Sequence, residues 1–406
     1  MKTMIDVAEA LEIVSAHVPL LPIVELPLAD ALYRTLAEPV RCDVDYPPFD
    51  RAVMDGYAVR AGDTAEAPVR LRLVGQIAAG ATADHPVGAG EAMRINTGAP
   101  MPPGADAVVR VEHTEPTDAG RGVLIHQGVE PGRFVTKRAA YVTAGRMVLA
   151  AGTRLTAVEI GAAASAGAAR VTVHRRPRVA ILSTGEELVE IDRRPAGAKI
   201  RNSNRYLLEA LVRSAQAEAV VLGVSGDERG ALQSKIEEGL RADLLCITGG
   251  ISMGTHDLVP EVLEACGVTP RFRKMAIKPG RPTIFATGPA GTPVFALPGN
   301  PGSAFVGFEL LVRPALALME GRRGAGPQPI RATLRGTLRS TSDRRTFVPA
   351  RVNVTTDGVW ETSPTVWHGS GDSFGLATAN GLIVQSPGSG AVADGEAVSV
   401  LLLDRA

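Results

Sequence analysis

Cysteine is scarce. The 406 residues hold three, Cys42, Cys246 and Cys266, far apart and in neither a CxxC pair nor a His-rich ligand spacing. That excludes a disulfide framework and a cysteine-built zinc site, and leaves the three as small core hydrophobes in a reducing compartment. An excess of one charge is also lacking. Lys+Arg and Asp+Glu each number 43, so no net field steers the chain towards nucleic acid or an anionic membrane, and any anion site has to be local. No uninterrupted apolar stretch approaches the ~20 residues of a membrane helix. The opening MKTMIDVAEALEIV is acidic and amphipathic where a secretory signal needs a basic start and an apolar centre. A cytoplasmic protein that uses neither nucleic acid nor membrane is expected. Aromatic residues make up only 4%, whereas glycine is plentiful at 44, a mark of many tight turns.

What is present is enough apolar material for several cores: 45% hydrophobic, 21% charged, mean hydropathy +0.10. A chain this long divides into domains. Val7, Leu11 and Val14 stand at helical spacing, and the prolines of VPLLPIVELPLADALYRTLAEPV then break the pattern. Residues 45–145 carry short Val/Ile/Leu runs punctuated by Gly, Pro and Asp, the texture of a small β domain. Residues 178–325 alternate. RVAILST, AEAVVLGVS, DLLCIT and PVFALPG read as strands; NSNRYLLEALVRSAQA, capped by Asn202 or Ser203, DERGALQSKIEEGLRA, LVPEVLEACG and SAFVGFELLVRPALALM read as helices. Strand and helix in strict turn imply a mainly parallel sheet covered on both faces, a three-layer α/β/α domain. After the linker-like GRRGAGPQP, residues 326–406 return to short alternating strands, a second β domain.

Ligands of open parallel sheets sit beyond the carboxyl ends of the strands. Here those ends read STGEEL, SGDE, TGGISMGTHD and LPGNPGS. Glycines let backbone N–H groups approach a ligand, helix N-termini add partial positive charge, and Thr248, Ser252 and Thr255 offer hydroxyl donors, so a phosphorylated ligand is favoured. Glu187, Asp227 and Asp257 stand at the same edge. Three carboxylates facing an anion repel it unless a hard cation lies between, and an oxygen donor set with phosphate suits Mg²⁺. RFRKMAIKPGRP adds Arg273, Lys274, Lys278 and Arg281, cations suited to a tetrahedral oxyanion. PPFDRAVMDGYAV and NTGAPMPPGADAVV, holding Asp50, Asp55 and Thr97, read by themselves as turns and loops.

The order PPFDRAVMDGYAV, INTGAPMPPGADAVV, ILSTGEEL, NSN, ITGGISMGTHD, AIKPGRP, LPGNPGS, ATANGLI resembles the molybdopterin molybdenumtransferase family, the MoeA type, over about residues 5–400. The resemblance implies four parts: a mixed linking domain (1–44 and 146–177), an inserted β domain (45–145), the α/β domain (178–325) and a C-terminal β barrel (326–406). It implies a homodimer whose cleft takes Asp55 and Thr97 from the neighbouring subunit. The implied reaction joins molybdate to adenylylated molybdopterin and releases AMP, with a molybdopterin adenylyltransferase as upstream partner. In that reading Glu187, Asp227 and Asp257 hold Mg²⁺ on the pyrophosphate. Gly249, Gly250, Ser252 and Gly254 cradle the pterin phosphate with Thr248, and Lys274, Lys278 and Arg281 offset leaving-group charge. Pro298, Pro301, Arg344 and Ser370 form the molybdate pocket. Two other functions are open to such a chain: an adenylyltransferase, which shares the strand-end loops but needs no MDGYA segment or barrel, and a scaffold that binds molybdopterin without turnover. The chain departs from the family pattern at Ala140 and Tyr141, where an acidic pair is usual, and at Arg51, a position usually small or polar.

Overall fold

The computed structural model describes residues 2–226, 228–251, 258–322, 326, 328–341 and 343–403. Residue contacts divide the chain into two compact units, one of Met1–Val24, Tyr33–Ala37 and Thr172–Ala406, the other of Glu25–Leu32 and Glu38–Val171.

The first unit is built on a six-stranded sheet. In spatial order its strands are Glu218–Ser225, Arg178–Thr184, Leu244–Thr248, Pro293–Leu297, Ile284–Thr287 and Thr269–Phe272. The first four run parallel, and Ile284–Thr287 opposes both its neighbours. The strict strand–helix alternation read from the sequence therefore fails at one place. After the helix Leu258–Ala265 the sheet strands Thr269–Phe272, Ile284–Thr287 and Pro293–Leu297 follow with no helix between them. The turn at Gly288, whose N–H donates to the Thr292 carbonyl at 2.8 Å, is too short for a crossover, so it joins its strands antiparallel.

Successive residues of each strand face opposite layers. Val179, Ile181, Leu244, Cys246, Phe295 and Leu297 point to one side, against the helices Val7–His17, Ser203–Ser214 and the run Pro301–Met319. Ala180, Leu182, Leu245, Ile247, Val294 and Ala296 point to the other, against Leu232 and Ile236 of Arg229–Gly239 and Val259, Val262 and Leu263 of Leu258–Ala265. The three layers inferred from alternation are thus present, and Cys246 is a core residue whose thiol burial pushes up to about 12. The run Pro301–Met319 is long and apolar enough to cross a membrane by composition, but 83% of it is buried in the protein. It bears a π-helical turn at Phe308–Val312 just before Pro314, which has no N–H to continue an α ladder.

The C-terminal strands close on themselves. Arg345–Val354, Trp360–Pro364, Ile330–Leu334, Ala397–Leu402 and Gly381–Gln385 pair in a ring, because Arg345–Val354 bonds to Gly381–Gln385 as well. That is the barrel expected from the short alternating runs. Its pleat sorts residues: Ile383 and Val400, a facing pair, fill the interior, while the next pair, Leu382 and Leu401, packs outward into the core of the α/β layer. A two-residue strand, Ile277–Lys278, joins the ring from outside by pairing with Arg345 and Thr346.

The second unit holds a six-stranded sheet ordered Ala107–Arg110, Gly56–Val59, Glu91–Ile95, Val69–Ile77, Gly122–Ile125, Thr114–Thr117. Apolar residues cover both faces, Tyr57, Val59, Val109 and Ile125 on one, Ala58, Met93, Ile95 and Val108 on the other.

Candidate functional site

The chain leaves the strand Arg178–Thr184 for one edge of the sheet and returns to lay Leu244–Thr248 on its other side. Such a reversal of strand order leaves a crevice at the carboxyl ends. A cleft of about 670 Å³ opens there, and Thr184, Thr248, Pro298 and the segment Arg201–Asn204 line it.

Each wall has a local cause. Gly249 and Gly250 turn the chain out of its strand with φ of 92° and 62°. A Cβ on Gly249 would stand 2.4 Å from the Thr184 carbonyl oxygen, and one on Gly250 2.7 Å from Val259, so no side chain fits at either position. Asn202 caps the helix Ser203–Ser214, accepting from the Arg205 N–H at 3.2 Å and from the Ser183 hydroxyl at 3.2 Å. Asn204 ties two strand ends together, donating to Thr248 Oγ1 at 2.8 Å and to the Gly299 carbonyl at 2.7 Å. Asn202 Nδ2 and Asn204 Oδ1 have no partner among the described residues. A buried amide atom left so is expensive in a finished core and is expected where a ligand or water completes the set. Glu187 is exposed at the rim, with its carboxylate folded over Gly185.

The residues singled out from sequence do not all lie together. Glu187, Thr248, Gly249, Gly250, Pro298 and Pro301 all line the cleft. Ser370 stands one contact behind it, accepting from the Asn300 amide at 3.0 Å and holding the Gly302 N–H through its carbonyl at 2.8 Å. Arg281 immediately precedes Pro282, which is part of the wall, and Lys278 lies four residues before that proline; Lys278 also pairs in the strand beside Arg345, next to Arg344. Lys274 is held through its carbonyl, which accepts from the Ile5 N–H at 3.2 Å. Arg273 is turned to an ion pair with Glu264, on a face lined by Pro260, Leu263 and Ile284. Asp227, Ser252, Gly254, Thr255 and Asp257 lie outside the described residues.

Asp55 and Thr97 belong to the second unit and meet there. Asp55 Oδ1 accepts from the Thr97 N–H at 2.6 Å and its hydroxyl at 2.9 Å, and these two bonds hold the exposed carboxyl below the usual carboxylate range. Arg51 and Tyr141, both departures from the family pattern, touch each other: the guanidinium donates to the phenol oxygen at 3.5 Å and lies 5.7 Å from the ring centre. Asp50 and Asp45 accept from Lys137 at 2.8 Å and Arg138 at 2.6 Å, a charge network beside that pair.

Sequence reasoning passed over Asn204, Asn300, Arg201 and Ser373. The strings NSN and GNPGS were visible, but nothing in them said that one asparagine would reach another strand.

A three-layer α/β domain with a polar cleft at its switch point, fused to a closed barrel and accompanied by a separate β unit, is a multidomain ligand-binding architecture. Comparison narrows it. Residues 5–167 match the MoeA N-terminal region (domain I and II), residues 180–318 a probable molybdopterin binding domain, and residues 331–403 the MoeA C-terminal region (domain IV). The chain is 37% identical over 379 residues to a molybdopterin molybdenumtransferase of Nostoc sp., covering 91% of this chain and 86% of that one. It is 34% identical over 383 residues to the protein of that name from Bacillus subtilis, covering 93% and 89%. The solved structure of a molybdopterin biosynthesis moeA protein from Pyrococcus horikoshii OT3 superimposes with a TM-score of 0.84 at 29% identity, over 98% of this chain and 100% of that one. The chain belongs to the molybdopterin molybdenumtransferase (MoeA) family.

Proposed function

We propose that the chain inserts molybdenum from molybdate into adenylylated molybdopterin and releases AMP, a step of molybdenum cofactor biosynthesis in the cytoplasm. The observation that carries the reading is the cleft itself, which opens at the strand ends of the domain matching the molybdopterin-binding model. Its floor offers hydroxyls, amides and a glycine turn to a polar, phosphorylated ligand. Thr248 and Asn204 brace one another, so their remaining hydrogen-bonding capacity is preset rather than organised during reaction, which is the condition for electrostatic stabilisation.

The reading includes a divalent ion. Glu187 contributes an exposed carboxylate with no ionic partner among the described residues, and the hydroxyls nearby are oxygen donors too, a hard set suited to Mg²⁺. Glu187, with Asp227 and Asp257, would hold the ion, which when bound neutralises charge on the pyrophosphate. Lys274, Lys278 and Arg281 then serve the phosphates, and Pro298, Pro301, Arg344 and Ser370 the molybdate pocket. We infer further that the working form is a homodimer in which the partner subunit's Asp55 and Thr97 complete the cleft, and that a molybdopterin adenylyltransferase supplies the substrate.

The test is direct. Purified protein incubated with adenylylated molybdopterin and Mg²⁺ should release AMP when molybdate is added, and the product should activate a molybdenum-free acceptor enzyme. Unchanged adenylylated substrate after prolonged incubation with active-site equivalents of protein would overturn the reading.

A further inference from the structure

Two residues of the cleft wall, Gly371 and Ser373, come from the barrel segment, and Asp372 stands between them. Its side chain does not join them in the wall. It is 15% exposed and turned back into the loop that carries it. One carboxylate oxygen accepts from the Phe374 and Gly375 N–H groups at 3.1 and 2.9 Å and caps the helix Ser373–Ala377. The other accepts from the His368 N–H and from His368 Nδ1, each at 3.0 Å. An ionised carboxylate only accepts, so Nδ1 carries the hydrogen. The main chain closes the same turn: the Asp372 N–H donates to the Gly369 carbonyl at 2.9 Å, with Gly369 at a φ of 117°. Trp367 Nε1 donates to the Asp372 carbonyl at 3.1 Å. Residues 368–372 therefore form a pinned loop, and Ser370 and Gly371 lie inside it.

That loop grips the opposite part of the wall. The Ser370 carbonyl accepts from the Gly302 N–H at 2.8 Å, and the Ser370 hydroxyl accepts from the Asn300 amide at 3.0 Å. Asn300 and Pro301 line the cleft beside Pro298 and Gly299. The fit is close. A Cβ on Gly302 would stand 3.0 Å from the Ser370 carbonyl oxygen and 3.1 Å from the Trp367 ring, so a shift of the loop shifts the wall with it.

We propose that Asp372 is a positioning residue for the oxyanion end of the reaction: without touching a ligand, it sets the turn that places Gly371 and, through Ser370, Asn300 at the cleft. This rests on the reading given under Proposed function, in which Pro298, Pro301 and Ser370 serve molybdate. The argument turns on the second carboxylate oxygen. A helix cap needs one acceptor, and asparagine supplies it as well as aspartate does. The oxygen facing His368 is more than the helix requires, and both of its bonds close the loop. Asp372→Asn separates the two roles, because it keeps an oxygen for Phe374 and Gly375 and sets an NH2 group against two donors of His368. Groups held in place before binding contribute to ground-state affinity, so their displacement raises KM and spares kcat.

Steady-state AMP release and hydrogen exchange test this together. In Asp372→Asn the KM for molybdate should rise about tenfold, while kcat at saturating molybdate and the KM for adenylylated molybdopterin stay within about twofold. The Gly302 amide should exchange about tenfold faster, with the Phe374 and Gly375 amides still protected. Asp372→Ala, which removes both oxygens, should lose protection at all three. An unchanged molybdate KM in Asp372→Asn, a collapse of kcat with that KM kept, or unchanged exchange at Gly302 overturns the assignment. Wild-type protein that releases no AMP strikes the functional reading instead, and exchange at Gly302 then still decides whether Asp372 sets the turn.

Discussion

Asp55 shows what one side chain gains from its setting. It is held by two donors of the same residue, the Thr97 N–H and the Thr97 hydroxyl. Removing the second with Thr97→Val should raise the Asp55 pKa towards the ordinary value of 3.8 while the backbone bond remains; a carboxyl-resolved NMR titration reads this, and an unmoved pKa would mean the hydroxyl contributes nothing. Asp372 is a stronger case. It accepts from Phe374 N–H and Gly375 N–H through one oxygen and from His368 through the other, and its carboxyl is lowered to about 2. A depressed acid stabilises the fold fully above its unfolded pKa and loses that contribution as pH falls through the folded one. The helix Ser373–Ala377 should therefore hold its amide protection until pH drops below 3.8 and surrender it towards 2, whereas Asp372→Asn should abolish that acid transition in a hydrogen-exchange profile. Residues of this kind were only half legible. Glu187 and Thr248 announced themselves by standing where strands end. Asn204 did not, because its two acceptors lie 44 and 95 positions away, and a contact at that range leaves no local trace.

Among the elements, the central strands were the easiest to read and the hairpin after Leu258–Ala265 the hardest. A buried strand is an apolar run bounded by turn residues, and RVAILST and DLLCIT satisfy that description. Thr269–Phe272 has Pro270 and two charged residues about it, and takes an edge position where such a composition is tolerated. The order of strands, which creates the cleft, follows from pairings that no single segment encodes. Two substitutions test the element-level account. Phe295 is fully buried and packs 4.9 Å, centre to centre, from Phe285, so Phe295→Ala should cost about 3–5 kcal/mol in denaturant unfolding; a loss below 1 kcal/mol would contradict the packing described. Gly249→Ala forces a Cβ to 2.4 Å from the Thr184 carbonyl at a φ of 92°. It should cost roughly 1–3 kcal/mol and, by displacing the strand end, weaken every cleft ligand together, a pattern that a peripheral strain would not produce.

For the molecule as a whole, the domain types were foreseeable from texture: β punctuation, then strict alternation, then β punctuation again. Pairing made the last segment a closed ring, and closure is a property of register rather than of composition. Two units with separate cores should show two transitions in calorimetric unfolding, and a single transition with equal van't Hoff and calorimetric enthalpies would argue for one cooperative body. The proposed subunit sharing has its own test. Asp55→Ala and Glu187→Ala chains, each inactive alone, should on random re-association regain about a quarter of wild-type activity, since half the dimers are mixed and each of these carries one intact cleft. Mixed dimers confirmed by mass and still inactive would refute the shared cleft.

The small strand Ile277–Lys278, bonded to Arg345 and Thr346, has an effect out of proportion to its two residues. A ring of strands offers no loose edge along which alignment can drift, so the placement of Lys278 is dictated by its pairing with a part of the chain nearly seventy positions downstream. Trimming the protein after Met319 would not merely shed an appendage: it would unclamp the lysine loop, strip Gly371 and Ser373 from the wall, and leave Phe347, Leu382 and Leu401 missing from the layer they help to fill. The terminal barrel behaves as a keystone, since its segment completes both the cleft wall and the core beside the sheet.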